Sequence, residues 1–314
     1  MSIALPRFVR RPSSRPDVKP ATSEGAAGDL RVGRLLMVPA LIVPICLALV
    51  FLTGVYVTLR SWRLTTGDAG FVGLANYGKV LSDGHFWHSA LLTGKFTVLD
   101  IVIETFLATL MALALNKGLR GIRVYRSLLI LPLMTPPVVG ALVWKVLFRS
   151  GTGGFFNFVL WKMGIPGQGF LGSPDQALYS LVTIDIWLNM PFIATILLAG
   201  MQSLPQEPID AAVIDGANVW QTFWRIKLPM LIPFYIVALF FRVIDSLNVF
   251  DSIYGTTSGG PGDTTRVLPI NGYENAFPFY NLSYGLTVFM MLWIICMVVG
   301  SLLYVRVKRA TVDT

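Results

Sequence analysis

Several ionisable residues of this chain sit inside apolar runs, where they are costly. Asp100 and Glu104 lie four apart in one run, Asp185 and Asn189 four apart in another, and Arg242, Asp245 and Asn248 at three-residue steps in a third. Steps of three and four put each set on a single helix face, and such groups turn toward the interior of a bundle rather than toward lipid. The chemistry open to them is hydrogen bonding and charge pairing. One reading is an Arg242–Asp245 ion pair with interhelical hydrogen bonds; the other is a polar lining for a passage, and the residues alone leave both open. Asp100 and Glu104 read as structural, or as partnered by a cation on a neighbouring helix. Covalent chemistry is not indicated. No nucleophile, acid and base are grouped, and the Gly-Lys pairs Gly78-Lys79 and Gly94-Lys95 lack the Ser or Thr of a GxxxxGK[ST] phosphate cradle. His85 and His88 have no companion Cys or His, so a metal site is not expected. Cys46 and Cys296 fall inside apolar runs and read as small apolar side chains, without a disulfide.

A different kind of pattern occupies Glu207–Pro229, EPIDAAVIDGANVWQTFWRIKLP. On a helix beginning at Ile209, the residues Ile209, Ala212, Val213, Gly216 and Ala217 share one stripe, whereas Asp210, Ala211 and Asp215 point elsewhere. Gly216 allows the backbone to bend, a second helical piece over Asn218–Lys227 follows, and Pro229 and Pro233 reset the chain. A helix lying on headgroups would present Lys and Arg. This one presents Glu207, Asp210 and Asp215, which suit a basic or polar cleft on a protein partner.

The elements that must position these residues are membrane spans. Of the 314 residues 54% are hydrophobic and 13% charged, against about 25% charged in a soluble domain. Runs of about 20 apolar residues place six spans near Leu35–Leu59, Leu91–Leu115, Ser127–Phe148, Ala177–Met201, Pro233–Phe250 and Leu282–Val305. The N-terminal tail, the second and fourth loops and the C-terminus together hold 16 Lys and Arg, against 6 in the other loops. The positive-inside rule therefore puts both termini in the cytoplasm. Residues 1–34, rich in Pro, Ser, Arg and Ala, read as a disordered cytoplasmic tail with no signal-peptide core. Residues 35–309 read as the transmembrane domain and 310–314 as a short cytoplasmic end.

Asp210-Ala211-Ala212, Gly216, and then Ile226-Lys227-Leu228-Pro229 after nine residues resemble the EAA loop of the membrane subunits of binding-protein-dependent ABC importers. The family's usual Glu is here Asp210, which keeps the charge on a shorter side chain. Phe71-Val72-Gly73-Leu74-Ala75-Asn76-Tyr77 is similar to the F-x-G-L-x-N-Y of carbohydrate permeases. Arg126-Ser127 leading into Leu131-Pro132 and Pro136-Pro137, and Phe250-Asp251 with Thr257-Ser258-Gly259-Gly260-Pro261, are similar as well. The resemblance runs from about Leu35 to Arg309 and is to the maltose-type branch.

It implies an all-α, polytopic integral membrane protein with six transmembrane helices in the type I ABC importer permease fold, in a bacterial or archaeal cytoplasmic membrane. It also implies that the loop 205–229 is a coupling segment, with Glu207, Asp210, Ala211, Ala212, Asp215 and Gly216 meeting an ATP-binding subunit. ATP and Mg would then be bound by that partner, with no cofactor in this chain. The other implied partners are a homologous second permease and an extracytoplasmic solute-binding protein, with no nucleic acid. A hydroxyl-rich solute such as a sugar, oligosaccharide or polyol needs donors and acceptors in the membrane. Asp185, Asn189, Asp245, Asn248 and Asp251 are the candidates, with Trp187 for stacking. The alternative, an ion-coupled secondary transporter, calls for internal inverted repeats, and none is evident.

Overall fold

The computed structural model describes residues 23–117 and 121–312, with side chains from 41 to 117 and from 121 to 305. The chain divides into two units, residues 1–53 and 54–314. Its helix α1 runs over Ser23–Thr58. A hairpin of β1 (Arg60–Arg63) and β2 (Gly67–Phe71) follows, then α2 (Ala75–Ser82) and the long α3 (Gly84–Leu115). The next helices are α4 (Ile122–Met134), α5 (Pro137–Leu147), α6 (Phe155–Lys162) and α7 (Ala177–Ser203). The remainder is α8 (Glu207–Ile214), α9 (Val219–Thr222), α10 (Leu228–Leu247), α11 (Asp251–Thr256), α12 (Leu268–Ala276) and α13 (Leu282–Val312).

Five helices or helical stretches among the described residues are long and apolar enough to cross a membrane: Leu41–Thr58, Gly84–Leu115, Ala177–Ser203, Val219–Leu247 and Leu282–Val305. The sixth expected span, Ser127–Phe148, is not one helix. It is α4 and α5, bent by 99° at Thr135-Pro136. Thr135 is forced toward extended backbone because a proline follows it, and it has ψ 126°. Pro136 and Pro137 supply no N–H to continue the helix. One further expectation changes. Of the tail read as disordered, residues 1–22 lie outside the described residues, but 23–34 are the first turns of α1, where Ala, Leu, Glu and Arg favour helix and no proline intervenes. The short end 310–314 is likewise helical as far as Val312.

Pro229 and Pro233 do not reset the chain either. From Val219 to Leu247 the backbone stays helical because Phe223–Lys227 forms a π turn, in which the Leu228 N–H donates to the Phe223 carbonyl. One extra residue in the turn accommodates Pro229, whose ring would otherwise clash with the carbonyl four residues back.

The core of the second unit centres on α3, α7 and α10, with buried side chains of α11, α12 and α13 added to it. Small residues allow close approach elsewhere: a Cβ on Gly285 of α13 would lie 2.5 Å from the Gly272 carbonyl oxygen and 2.6 Å from the Ala276 nitrogen of α12. Backbones meet there in the way small residues permit between membrane helices. Side-chain bonds add to this seam of α12. The Leu268 N–H donates to Thr93 Oγ1 of α3 (2.8 Å), and Asn271 Nδ2 donates to Ser89 Oγ (3.0 Å). The Phe71–Tyr77 motif has a structural use. Asn76 Nδ2 donates to the carbonyls of Thr58 (2.7 Å) and Arg60 (2.8 Å), and the Tyr77 hydroxyl lies 2.9 Å from Thr58 Oγ1, fastening the hairpin to the end of α1.

Candidate functional site

Arg242 is the electrostatic centre of the bundle. It sits on α10 and is 2% exposed. Its Nε donates to both carboxylate oxygens of Glu104 (3.0 and 2.9 Å) on α3. Its Nη2 donates to Asp100 Oδ2 (2.9 Å) on α3 and Asp185 Oδ2 (2.8 Å) on α7, while Nη1 meets Asp245 one turn along α10. The planar guanidinium, with five donors in a fixed fork, suits one cation serving several carboxylates from different helices. The pair Asp100 and Glu104 thus finds its cation on a neighbouring helix, and the Arg242–Asp245 pair is one arm of a larger cluster. Asp100, Glu104 and Asp185 are buried with it, whereas the Asp245 side chain remains 67% exposed.

That exposed side of Asp245 faces a cavity of about 180 Å³ lined by Pro137, Asp185, Leu188, Asn189, Asp245, Asn248, Val249, Phe250, Asp251 and Ser252. A second cavity, of about 610 Å³, shares Asn189, Asp245 and Asn248 and continues among Phe192, Phe240 and Phe241. The structure therefore brings together five of the six residues expected to line a passage. Their capacities differ. Asn248 Nδ2 donates to the Ile244 carbonyl (2.7 Å) and to Cys296 Sγ (3.4 Å), and Asn189 Nδ2 donates to the Asp185 carbonyl (3.2 Å). The amide oxygens of both have no partner among the described residues. Asp251 opens α11, is exposed, and makes no ion pair among the described residues.

Two residues behave otherwise than expected. Asp185 forms part of the cavity wall, but its Oδ2 belongs to Arg242 and the residue is 5% exposed. Trp187 is outside the cavity, its ring edge-on to Trp144 at 5.9 Å. Two positions after Asp185, a helical residue is turned by about 200°, so Trp187 and the Asp185/Asn189 face are on opposite sides of α7. Phe250, not singled out as a stacking residue in the sequence, is the aromatic residue that lines this cavity.

The stretch between α7 and α10 has a tightly specified shape. Glu207 and Asp210 occupy the first turn of α8, where carboxylates favour the positive end of the helix dipole. The helix ends in a Schellman arrangement: the Gly216 N–H donates to the Val213 carbonyl (3.1 Å) and the Ala217 N–H to the Ala212 carbonyl (2.9 Å), with Gly216 at φ +78°. Asn218 then starts α9 through a capping box with Gln221. The apolar stripe divides in a way the periodicity did not give. Ile209 is half-buried, packed against the core, and Ala212 is buried, whereas Val213 and Ile214 are 63% and 86% exposed. Together with exposed Val219 and Trp220 and the exposed carboxylates of Asp210 and Asp215, they form a projecting tip.

The family described as "Binding-protein-dependent transport system inner membrane component" matches residues 104–312, two thirds of the chain, from Glu104 through the projecting tip and Arg242 to the end of α13. The chain belongs to that family. This inner membrane component is the permease part of an ABC importer. Among its relatives, the trehalose/maltose transport system permease protein MalF of Thermococcus litoralis is 35% identical over 92% of this chain and 97% of its own length. The sulfoquinovosyl glycerol transport system permease protein SmoG of Agrobacterium fabrum is 32% identical over 90% and 92%. A chain of the bacterial alginate ABC transporter crystallised with an alginate-pentasaccharide-bound periplasmic protein superposes with a TM-score of 0.78 at 20% identity, over 92% of this chain and 97% of that one. At that identity the superposition establishes the shared fold of the permease.

Proposed function

We propose that this permease carries a carbohydrate or related polyhydroxy solute inward, forming half of a pathway with a homologous second permease. The observation that carries the reading is the convergence of Asn189, Asp245, Asn248 and Asp251 on one cavity in the bundle. Hydroxyl-rich solutes exchange hydrogen bonds with water for hydrogen bonds with such groups, and a family whose members include trehalose/maltose permeases supports the assignment. In this scheme a solute-binding protein delivers the solute, and ATP with Mg is bound by a pair of separate ATP-binding subunits. The tip at Asp210–Gly216 would seat in a groove on one of them. Closure of that pair on nucleotide would move α8, and α10 beyond it, between inward-open and outward-open states.

The transport reading is tested at Asn248. In Asn248→Ala, uptake per assembled complex is expected to fall severalfold while the amount of complex stays near wild type, since one hydrogen bond to an uncharged partner is worth about 0.5–1.5 kcal/mol. Asp245→Asn is expected to lower uptake with at most a modest loss of complex, because Arg242 keeps three buried carboxylates. Unchanged uptake per complex in both variants would mean that this face only holds helices together.

The scheme also requires a particular orientation. With 16 Lys and Arg on one side of the membrane and 6 on the other, a reporter fused after Lys117 is expected to read cytoplasmic and one fused near Gly260 extracytoplasmic. The reverse pattern would put the tip on the wrong side for an ATP-binding partner.

A further inference from the structure

Beyond the Leu247 end of α10 a group of aromatic rings adjoins the polar cavity through Phe250. Phe250, which lines the cavity, stacks on Tyr254 of α11 with centroids 5.2 Å apart and planes at 12°. Tyr273 of α12 lies edge-on to both, at 5.3 Å from Phe250 and 5.0 Å from Tyr254. Phe250 rests against the hydrophobic core, but the cluster reaches the surface: Tyr254 is 43% exposed, and Phe277, which packs on Tyr273, is 51% exposed. The two tyrosine hydroxyls are 3.4 Å apart, well beyond the usual O–H···O length of about 2.7–2.8 Å, so both keep capacity for a third group.

Exposed aromatic residues in a membrane protein often mark the lipid interface, but the surroundings here argue for water. Asp251 and Tyr254 are three apart on α11 and share a face, and Asp251 is an exposed carboxylate without an ion pair among the described residues. A charged group held against lipid tails beside the ring would be costly.

We infer that Phe250, Tyr254 and Tyr273 form a second binding subsite, which stacks the ring of a sugar unit adjoining the one in the polar cavity. The inference rests on the carbohydrate reading above and narrows it: the solute has at least two rings. A pyranose has an apolar C–H face and hydroxyls around its edge. Its face matches the exposed ring of Tyr254, whose apolar body and polar tip serve both parts of such a ligand. Its edge meets the paired tyrosine hydroxyls and the Asp251 carboxylate.

The test uses the assembled transporter with glucose, trehalose, maltose and maltotriose as probes, measuring uptake per assembled complex. For the sugars of two or three rings, Tyr254→Ala is expected to lower uptake about fivefold and Tyr254→Phe, which keeps the ring, by less than about twofold. Tyr273→Ala is expected to follow Tyr254→Ala, while glucose uptake, where present, changes little in any variant. If both alanine variants match wild type for every sugar that the wild type carries, the subsite is overturned and the carbohydrate reading stands. If the alanine variants lose assembled complex but not rate per complex, the rings serve packing or lipid anchorage, and the subsite is again overturned. If the wild type carries none of trehalose, maltose and maltotriose, the two-ring subsite is overturned while the carbohydrate reading stands.

Discussion

Arg242→Ala should leave little assembled transporter in the membrane. The substitution strands Asp100, Glu104 and Asp185, three buried carboxylates that Arg242 binds at 2.8–3.0 Å, inside a low-dielectric bundle. Removing one partner of a buried charge cluster costs about 3–5 kcal/mol, a large share of the stability of an ordinary domain, about 5–15 kcal/mol. Arg242→Lys should rescue poorly, because an ammonium is a compact point charge that cannot offer the same planar fork to α3 and α7 together. Arg242→Met combined with Asp100→Asn, Glu104→Gln and Asp185→Asn should restore much of the membrane level, since no buried charge is then unpaired. Quantifying complex by size-exclusion chromatography of detergent extracts checks the series. Wild-type amounts of complex from Arg242→Ala alone would show that the cluster does not hold the three helices.

The second large effect is expected at the projecting tip. At φ +78° Gly216 occupies a conformation that other L-residues resist, at roughly 1–2 kcal/mol. A Cβ there would meet nothing within 4 Å, so a large side chain disturbs the turn and whatever docks on it rather than the packing of this chain. Gly216→Trp is therefore expected to reduce uptake and ATP hydrolysis together by more than about tenfold, at a normal membrane level. Gly216→Asn should retain most of both, because Asn tolerates the left-handed region. Asp210→Lys reverses a charge at the same face and should weaken association with the ATP-binding partner. Wild-type uptake in Gly216→Trp and Asp210→Lys would remove the coupling role from this segment.

The parts of this fold that were legible in the sequence are those that lipid enforces. Long apolar runs had to be spans, because backbone in hydrocarbon must be helical, and the three- and four-residue steps of Asp185/Asn189 and Arg242/Asp245/Asn248 had to mark interior faces. The Arg242 cluster joins residues 57, 138 and 142 positions apart, a relation that no local pattern contains. Trp187 was a different kind of error, since its helical phase relative to Asp185 already excluded a shared face. Pro136-Pro137 was read as part of a family motif inside one span, and the 99° angle there depends on what α4 and α5 pack against. Pro229 announced a break that the π turn absorbs. At the tip, the Gly216 turn was readable from its residue type, whereas the exposure of Val213 and Ile214 follows from the direction in which α8 meets the core.

The bend between α4 and α5 also bears on the order in which the protein can be built. Their 13 and 11 residues reach about 20 and 17 Å, short of a hydrocarbon core of about 30 Å, so neither half can settle across a bilayer as it leaves the ribosome. Apart from a slight contact of α4 with α3, each half packs against structure that comes later in the chain: α4 against α7, and α5 against α7 and α11. The end of α11 is synthesised roughly 100 residues after the end of α5, which at about 5–20 residues per second is on the order of 5–20 s. Through that interval the bent pair has no finished place in the membrane, and its assembly is postponed until helices from the second half of the chain arrive to receive it.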